Sequence, residues 1–133
     1  MCLELNGPSR AIEKEKARVS HYKKPFKTWK ILQKGDISLY RGYQYHLGLN
    51  ESSRKHTELS PTEGSSGRIF GGFHVYLRKE DALIESKLVR FVQTKVVEAW
   101  VHPKDIVAIG SYVGYPCLVA TKLTIRSFDN QAK

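Results

Sequence analysis

Cysteine is nearly missing from this chain of 133 residues: Cys2 and Cys117 are the only two. One lies at the extreme start and the other near the end, so no disulfide framework is expected, and both read as free thiols of a reducing compartment. No Cys-x-x-Cys or His-x-x-x-His pair occurs, so no structural zinc and no other cofactor is expected. Long apolar runs are also missing. None approaches the roughly 18–20 residues of a membrane span. Met1 to Arg18 lacks the apolar stretch of a signal peptide, so a cytoplasmic protein with no membrane partner is expected. Carboxylates are few. From Glu98 to Phe128 only Glu98 and Asp105 occur, which leaves paired-carboxylate hydrolysis without support. A serine nucleophile on a strained turn needs Gly-x-Ser-x-Gly, and Gly110-Ser111-Tyr112-Val113-Gly114 does not have that spacing. No catalytic residues are assigned, and the reading leans away from an enzyme.

Positive charge is abundant by contrast. Twenty-two Lys and Arg face 13 Asp and Glu, a net charge of +9. The excess is uneven. Met1 to Lys34 carries nine bases (Arg10, Lys14, Lys16, Arg18, Lys23, Lys24, Lys27, Lys30, Lys34) and three acids (Glu4, Glu13, Glu15), giving +6 of the +9. Phosphate contacts supply most non-specific nucleic-acid affinity, so this asymmetry suits a polyanionic partner. A solvated lysine surface that favours solubility accounts for the same charge.

The length suits one domain, and 41% hydrophobic residues are enough for one core. Residues 1–27 read as a basic N-terminal segment. Ser9 is placed to cap a helix running to Lys16 or Arg18, with too few apolar positions for a strong core face, so it is expected to pack lightly or fray. The domain proper spans 28–128. Thr28 to Leu32 reads as a strand closed by the turn Lys34-Gly35-Asp36, and Ile37 to Tyr45 as a second extended piece. Residues 49–68 read as a long polar loop, functional or disordered. Phe73 to Leu77 is a buried-type strand, and Lys79 to Leu88 a short helix with Ala82, Leu83 and Leu88 expected to face inward. Phe91 to Val101 alternates with period two: Val92, Thr94, Val96, Glu98 and Trp100 on one face, Phe91, Gln93, Lys95, Val97, Ala99 and Val101 on the other. Apolar residues on both of its faces predict a central strand. His102 to Asp105 reads as a turn, Ile106 to Ile109 as a strand, Ser111 to Pro116 as a loop, Cys117 to Ile125 as the last strand, and 129–133 as a tail. The expected fold is α+β: a mostly antiparallel sheet of about six short strands, one central helix and a possible N-terminal helix.

The candidate binding residues are mostly cations and aromatics. Lys23, Lys24, Lys27 and Lys30 belong to the basic segment. Tyr40, Arg41, Tyr43 and Tyr45 interleave aromatic rings with a cation, which suits base stacking and phosphate pairing, or equally an edge strand with one packed face. Arg68 follows Gly64-Ser65-Ser66-Gly67, a weak phosphate-loop signal that leads into a strand-like pair instead of a helix. His74 stands in an apolar strand after Gly71-Gly72, where a structural role, a ligand contact or a base are all open.

Five short pieces together resemble a loose group of small uncharacterised proteins of tailed phages and prophages. They are Trp29-Lys30-Ile31, Tyr43-Gln44-Tyr45-His46-Leu47-Gly48, Gly72-Phe73-His74 with Ala82, Val101-His102-Pro103-Lys104-Asp105-Ile106-Val107, and Lys122-Leu123-Thr124-Ile125. The resemblance spans about residues 28–125. It implies a viral accessory protein of the host cytoplasm and no particular activity. The basic N-terminal segment lies outside the shared pattern. The function expected is that of a non-enzymatic binding protein. Its partner is a nucleic acid, a phosphate-bearing ligand or a host protein that handles one, with counter-defence as a possible role. Two alternatives stay open. One is an ADP-ribosyltransferase-like enzyme using Arg41, His74 and Glu98, although the serine-threonine and paired-glutamate motifs of that class are missing. The other is a homo-oligomeric assembly module joined through a sheet edge.

Overall fold

The computed structural model describes residues 3–4, 10–39, 43–52, 59–60, 68–69 and 72–131, and for residues 3, 4, 11, 59, 60, 68 and 69 it describes the backbone alone. Within these residues the chain forms β1 (Leu3–Glu4), α1 (Arg10–Ser20), β2 (Phe26–Gln33), β3 (Ile37–Ser38), β4 (Gly48–Glu51), β5 (Leu59–Ser60) and β6 (Arg68–Ile69). It continues with β7 (Phe73–Tyr76), α2 (Lys79–Leu88), β8 (Thr94–Val101), a 3-10 turn at Pro103–Asp105, β9 (Ile106–Tyr112), β10 (Tyr115–Ala120) and β11 (Lys122–Ile125). Every strand pairing is antiparallel, in one sheet of order β4-β11-β8-β2-β7-β10-β9-β1-β6-β5, with β3 beside β2. The α+β reading holds, with eleven strands where about six were expected.

The longest pairing is β2 with β8, in register from Phe26 opposite Val101 to Gln33 opposite Thr94. Because side chains alternate along a strand, this register sorts both strands between two faces. Phe26, Leu32, Val97, Ala99 and Val101 point into the main core, with Phe73, Val75 and Leu118. Ile31 and Val96 point the other way, into a second cluster with Tyr76, Cys117 and Val119. Helix α2 covers the second cluster through Ala82 and Leu83 and rests on β2, β7 and β8. Helix α1 rests on β9 and β10, and its Val19 enters the main core.

The N-terminal segment is thus more firmly held than its sparse apolar residues suggest. Ile12 and Val19 are buried, and Glu15 is buried as a carboxylate. Arg18 reaches Glu15 Oε2 at 2.6 Å and Arg78 reaches Oε1 at 3.2 Å. Arg18 also donates to the Tyr22 hydroxyl at 2.6 Å. Because Arg78 immediately precedes α2, Glu15 ties the two helices together. Charge-assisted bonds of this kind are the strong ones.

Turn chemistry agrees with one expected turn and accounts for two other departures. Gly35 and Asp36, both at positive φ (87° and 61°), close β2 as expected. Ser111 to Pro116 is no loop: Val113 and Gly114 alone turn the chain, at φ 50° and 84°, between β9 and β10. This is a two-residue hairpin of the kind that needs positive φ at both central positions. The piece Cys117 to Ile125 is two strands, broken at Thr121, whose N–H donates to the Asp105 carbonyl. After β11, the chain returns along β8: Asn130 Oδ1 accepts from the Val96 N–H, and the Gln131 N–H donates to the Val96 carbonyl.

Two stability experiments follow. Glu15→Gln leaves two guanidinium groups without their anion and is expected to cost about 1.5–3 kcal/mol in urea unfolding. Val113 is β-branched and sits in left-handed backbone, a genuine outlier, and its side chain is exposed. Val113→Asn is therefore expected to raise stability by about 1 kcal/mol, read as a higher melting temperature.

Candidate nucleic-acid interface

The register that buries Val97 and Ala99 turns Trp100 and Glu98 outward beside Lys27. Lys27 stands opposite Trp100 in the β2–β8 ladder. On the far side of β8, Thr124 of β11 stands opposite Trp100, and beyond it Leu49 of β4 stands opposite Thr124. One row of side chains, Leu49, Thr124, Trp100 and Lys27, therefore crosses four strands on one face. At the usual strand spacing it is about 14 Å long. Lys122 of β11 and Arg126 just after it flank this row and share its face by alternation. Helix α2 covers the Ile31 and Val96 end of this face and leaves the Trp100 end open.

The side chains there are held by one another. The Arg126 guanidinium lies 3.9 Å from the Trp100 ring centre, and Lys27 Nζ lies 5.6 Å from it. Both distances are within cation–π range. Lys27 also pairs with Glu98 at 3.3 Å, and Lys122 with Glu51 at 3.8 Å. Arg126 has no carboxylate within ion-pair distance among the described residues. It is exposed, as are Lys23 and Lys24 just upstream of β2. Leu49 is 51% exposed, an unusual position for a leucine in a sheet. The arrangement is a polar face with one aromatic ring, an exposed guanidinium over that ring, and an apolar neighbour. Chemically it suits an anion beside a planar or apolar group.

The candidate residues from the sequence divide accordingly. Lys23, Lys24 and Lys27 lie at this face or at the end of the strand that leads into it. Lys30 points to the opposite face, where it donates to the His74 carbonyl at 2.7 Å and lies over the Tyr45 ring. Tyr43 packs edge-on against Tyr45 and Phe73, at 4.7 and 5.0 Å between ring centres, and Tyr45 lies tilted against Phe73 at 5.5 Å. Tyr45 and His74 are each 3% exposed, so neither ring offers surface to a ligand. Burial pushes the Tyr45 phenol well above its ordinary pKa. Tyr40 and Arg41 lie outside the described residues. Arg68 is described only as backbone of β6, opposite Glu4 and Ser60. Gly72 has φ 81°, which accounts for a glycine before β7.

His74 and Glu98 are not brought together. They stand on β7 and β8 with β2 between them, and Glu98 is engaged by Lys27. At α2, Asp81 Oδ2 and Trp29 Nε1 are buried with no hydrogen-bond partner among the described residues. Desolvation raises the Asp81 carboxyl above its ordinary range, against the pull of Arg78. Cys117 is buried, and desolvation raises its thiol pKa, opposite to what a reactive thiol requires. Among the described residues no group of three His, Cys, Asp or Glu is placed to hold a metal ion, and no helix is long and apolar enough to cross a membrane.

Trp100, Thr124, Arg126, Lys122 and Leu49 escaped the sequence reading. Alternation correctly set Trp100 on one face with Glu98 and Val96, but nothing local announced which strands flank β8. Comparison with known protein families, curated proteins and solved structures finds no match to the chain. If Arg126 serves the surface and not the fold, Arg126→Ala is expected to cost no more than about 0.5–1 kcal/mol, the range of an exposed cation–π pair, in thermal unfolding.

Proposed function

We propose that this chain is a non-enzymatic binding protein that takes single-stranded nucleic acid on the open face formed by β4, β11, β8 and β2. The observation that carries the reading is Arg126, exposed, stacked 3.9 Å from the Trp100 ring centre and free of acidic partners among the described residues. The guanidinium is a planar fork of donors, and its place over the ring limits where that fork can go. That geometry suits bidentate contact with a phosphate. Trp100 and the Arg126 plane provide stacking surface for a base, and Leu49 adds apolar contact. Lys27, Lys122, Lys23 and Lys24 supply the surrounding positive field, part of a net +9. A single strand fits better than a duplex because stacking needs an unpaired base, and the row offers no element that projects into a groove.

The resemblance of residues 28–125 to tailed-phage and prophage proteins adds a setting. In it the protein works in the host cytoplasm as an accessory factor. Binding of exposed single strands, or of the site where a host protein handles them, fits interference with host defence.

Fluorescence anisotropy with a labelled homopolymeric DNA or RNA strand of about 16 nucleotides tests the reading. Affinity should fall steeply between about 50 and 200 mM salt. Trp100→Ala should weaken binding by about 1–3 kcal/mol, the range for one lost base stack. Arg126→Ala should reduce the slope of log K against log salt by about 0.7. Lys87→Ala, a surface lysine on α2, should change neither. No binding at the lowest salt overturns the proposal. Capture of a host protein that persists after nuclease treatment would shift the face to a protein partner.

A further inference from the structure

A second surface lies on α2, away from the row around Trp100. Three of the largest exposed apolar side chains in the described residues cluster there: Ile84 at 48%, Leu88 at 61% and Phe91 at 68%. Ile84 and Leu88 are four apart on the helix and so lie on one face, and Phe91 follows within three residues of the helix end. The inward residues Ala82 and Leu83 already attach α2 to the sheet, so the exposed apolar pair adds nothing to the core. Apolar residues at helical spacing on an outward face mark an interaction site more often than an isolated exposed leucine does.

The charges on α2 identify the occupant. Glu80 and Asp81 lie in the first turn and Lys87 in the last, with Arg90 just beyond. Of these, Glu80, Lys87 and Arg90 are exposed, and none makes an ion pair or a hydrogen bond through its side chain with another described residue. Glu80 shares the face of Ile84, Lys87 and Leu88, because these positions are three or four apart. The stripe therefore runs from acidic Glu80 through apolar Ile84 to basic Lys87, with apolar Leu88 beside the base. Such a stripe is complementary to itself turned end for end. Two copies related by a two-fold axis near Ile84 would bring the two Ile84 side chains together and set Glu80 of each against Lys87 and Leu88 of the other. An isologous contact of this type is the commonest route to a symmetric dimer.

We propose that the chain associates with a second copy of itself through antiparallel packing of α2 on α2, centred on Ile84. This contact is independent of the nucleic-acid face, and neither proposal requires the other. The patch is small beside the roughly 800 Å² per partner of a standard interface, so the dimer belongs to the weak, concentration-dependent class.

Analytical ultracentrifugation of nuclease-treated protein tests it. The weight-average mass should rise with concentration from the 15.2 kDa of one chain towards twice that value. Leu88→Glu should hold the protein at the single-chain mass, and because Leu88 is exposed this variant should keep the parent's melting temperature. Glu80→Lys and Lys87→Glu, each alone, should weaken association by about tenfold or more. The double variant, Glu80→Lys with Lys87→Glu, should restore it, which only a self-complementary antiparallel contact does. In a Cys2→Ser background, Ile84→Cys should give a disulfide-linked pair on mild oxidation. A single-chain mass up to about 1 mM overturns the proposal. So does a dimer that Leu88→Glu leaves intact, because that dimer uses another surface. Arg126→Ala should leave the mass unchanged, so failure here is distinct from failure of nucleic-acid binding.

Discussion

The structure depends on the eight-residue antiparallel pairing of Phe26–Gln33 with Thr94–Val101. These strands lie inside the sheet, third and fourth from its β4 edge, with β11 and β4 on one side and β7 and the strands beyond it on the other. Their register has one correct value for a simple reason. Leu32, Val97, Ala99 and Val101 must all reach the main core, and a slip of one residue would turn Trp100 and Glu98 inward and expose that set. The cost of such a slip is several fully buried side chains at once, each worth about 1.5–3 kcal/mol of burial. The same constraint leaves Lys27 and Trp100 side by side on the outside. The candidate interface is thus a by-product of the register that makes the core.

Much of this architecture is legible in the residues. Helix α2 reads from Lys79 to Leu88 with Ala82 and Leu83 inward, but Leu88, expected inward too, is 61% exposed because it stands at the helix end, off the covered cluster. The central place of β8 reads from apolar residues on both faces, Val96 and Val97 together. The antiparallel character reads from connections too short for a crossover. What could not be read is equally specific. Tyr43 and Tyr45 carry the composition of a stacking surface, yet the strand that receives them brings Phe73 against both, and three rings bury one another. Pro116 and Gly114 suggest a loop, but the hairpin needs only Val113 and Gly114, and Pro116 tolerates a strand position at the start of β10.

The missed site residues share one cause. Lys27, Trp100 and Arg126 are far apart in sequence, and only the strand order makes them neighbours. Composition placed the positive charge at the N-terminal quarter, and much of it does lie there. Some of that charge is nevertheless spent within the fold. Arg18 grips Glu15, and Lys30 donates to the His74 carbonyl. A charge tally cannot separate a cation satisfied by its own chain from one that faces outward. Arg126, from a region of no special charge, is the clearest example of the second kind.

That distinction also explains why Arg126 matters more than its exposure alone suggests. An exposed arginine normally samples many rotamers, and fixing them on binding costs conformational entropy, up to roughly 1.5–2 kcal/mol for the side chain. Resting on Trp100, the guanidinium has already lost part of that freedom within the folded protein. A ligand phosphate then meets an oriented group and forgoes less entropy on contact. Lys27 and Lys122 differ, since each already holds a glutamate and a phosphate must displace that partner. The pairs are exposed and weak, so displacement costs little, but each contributes less than an unpaired cation. The affinity of the face should accordingly concentrate on the stacked pair, with the lysines setting the strength of its salt dependence.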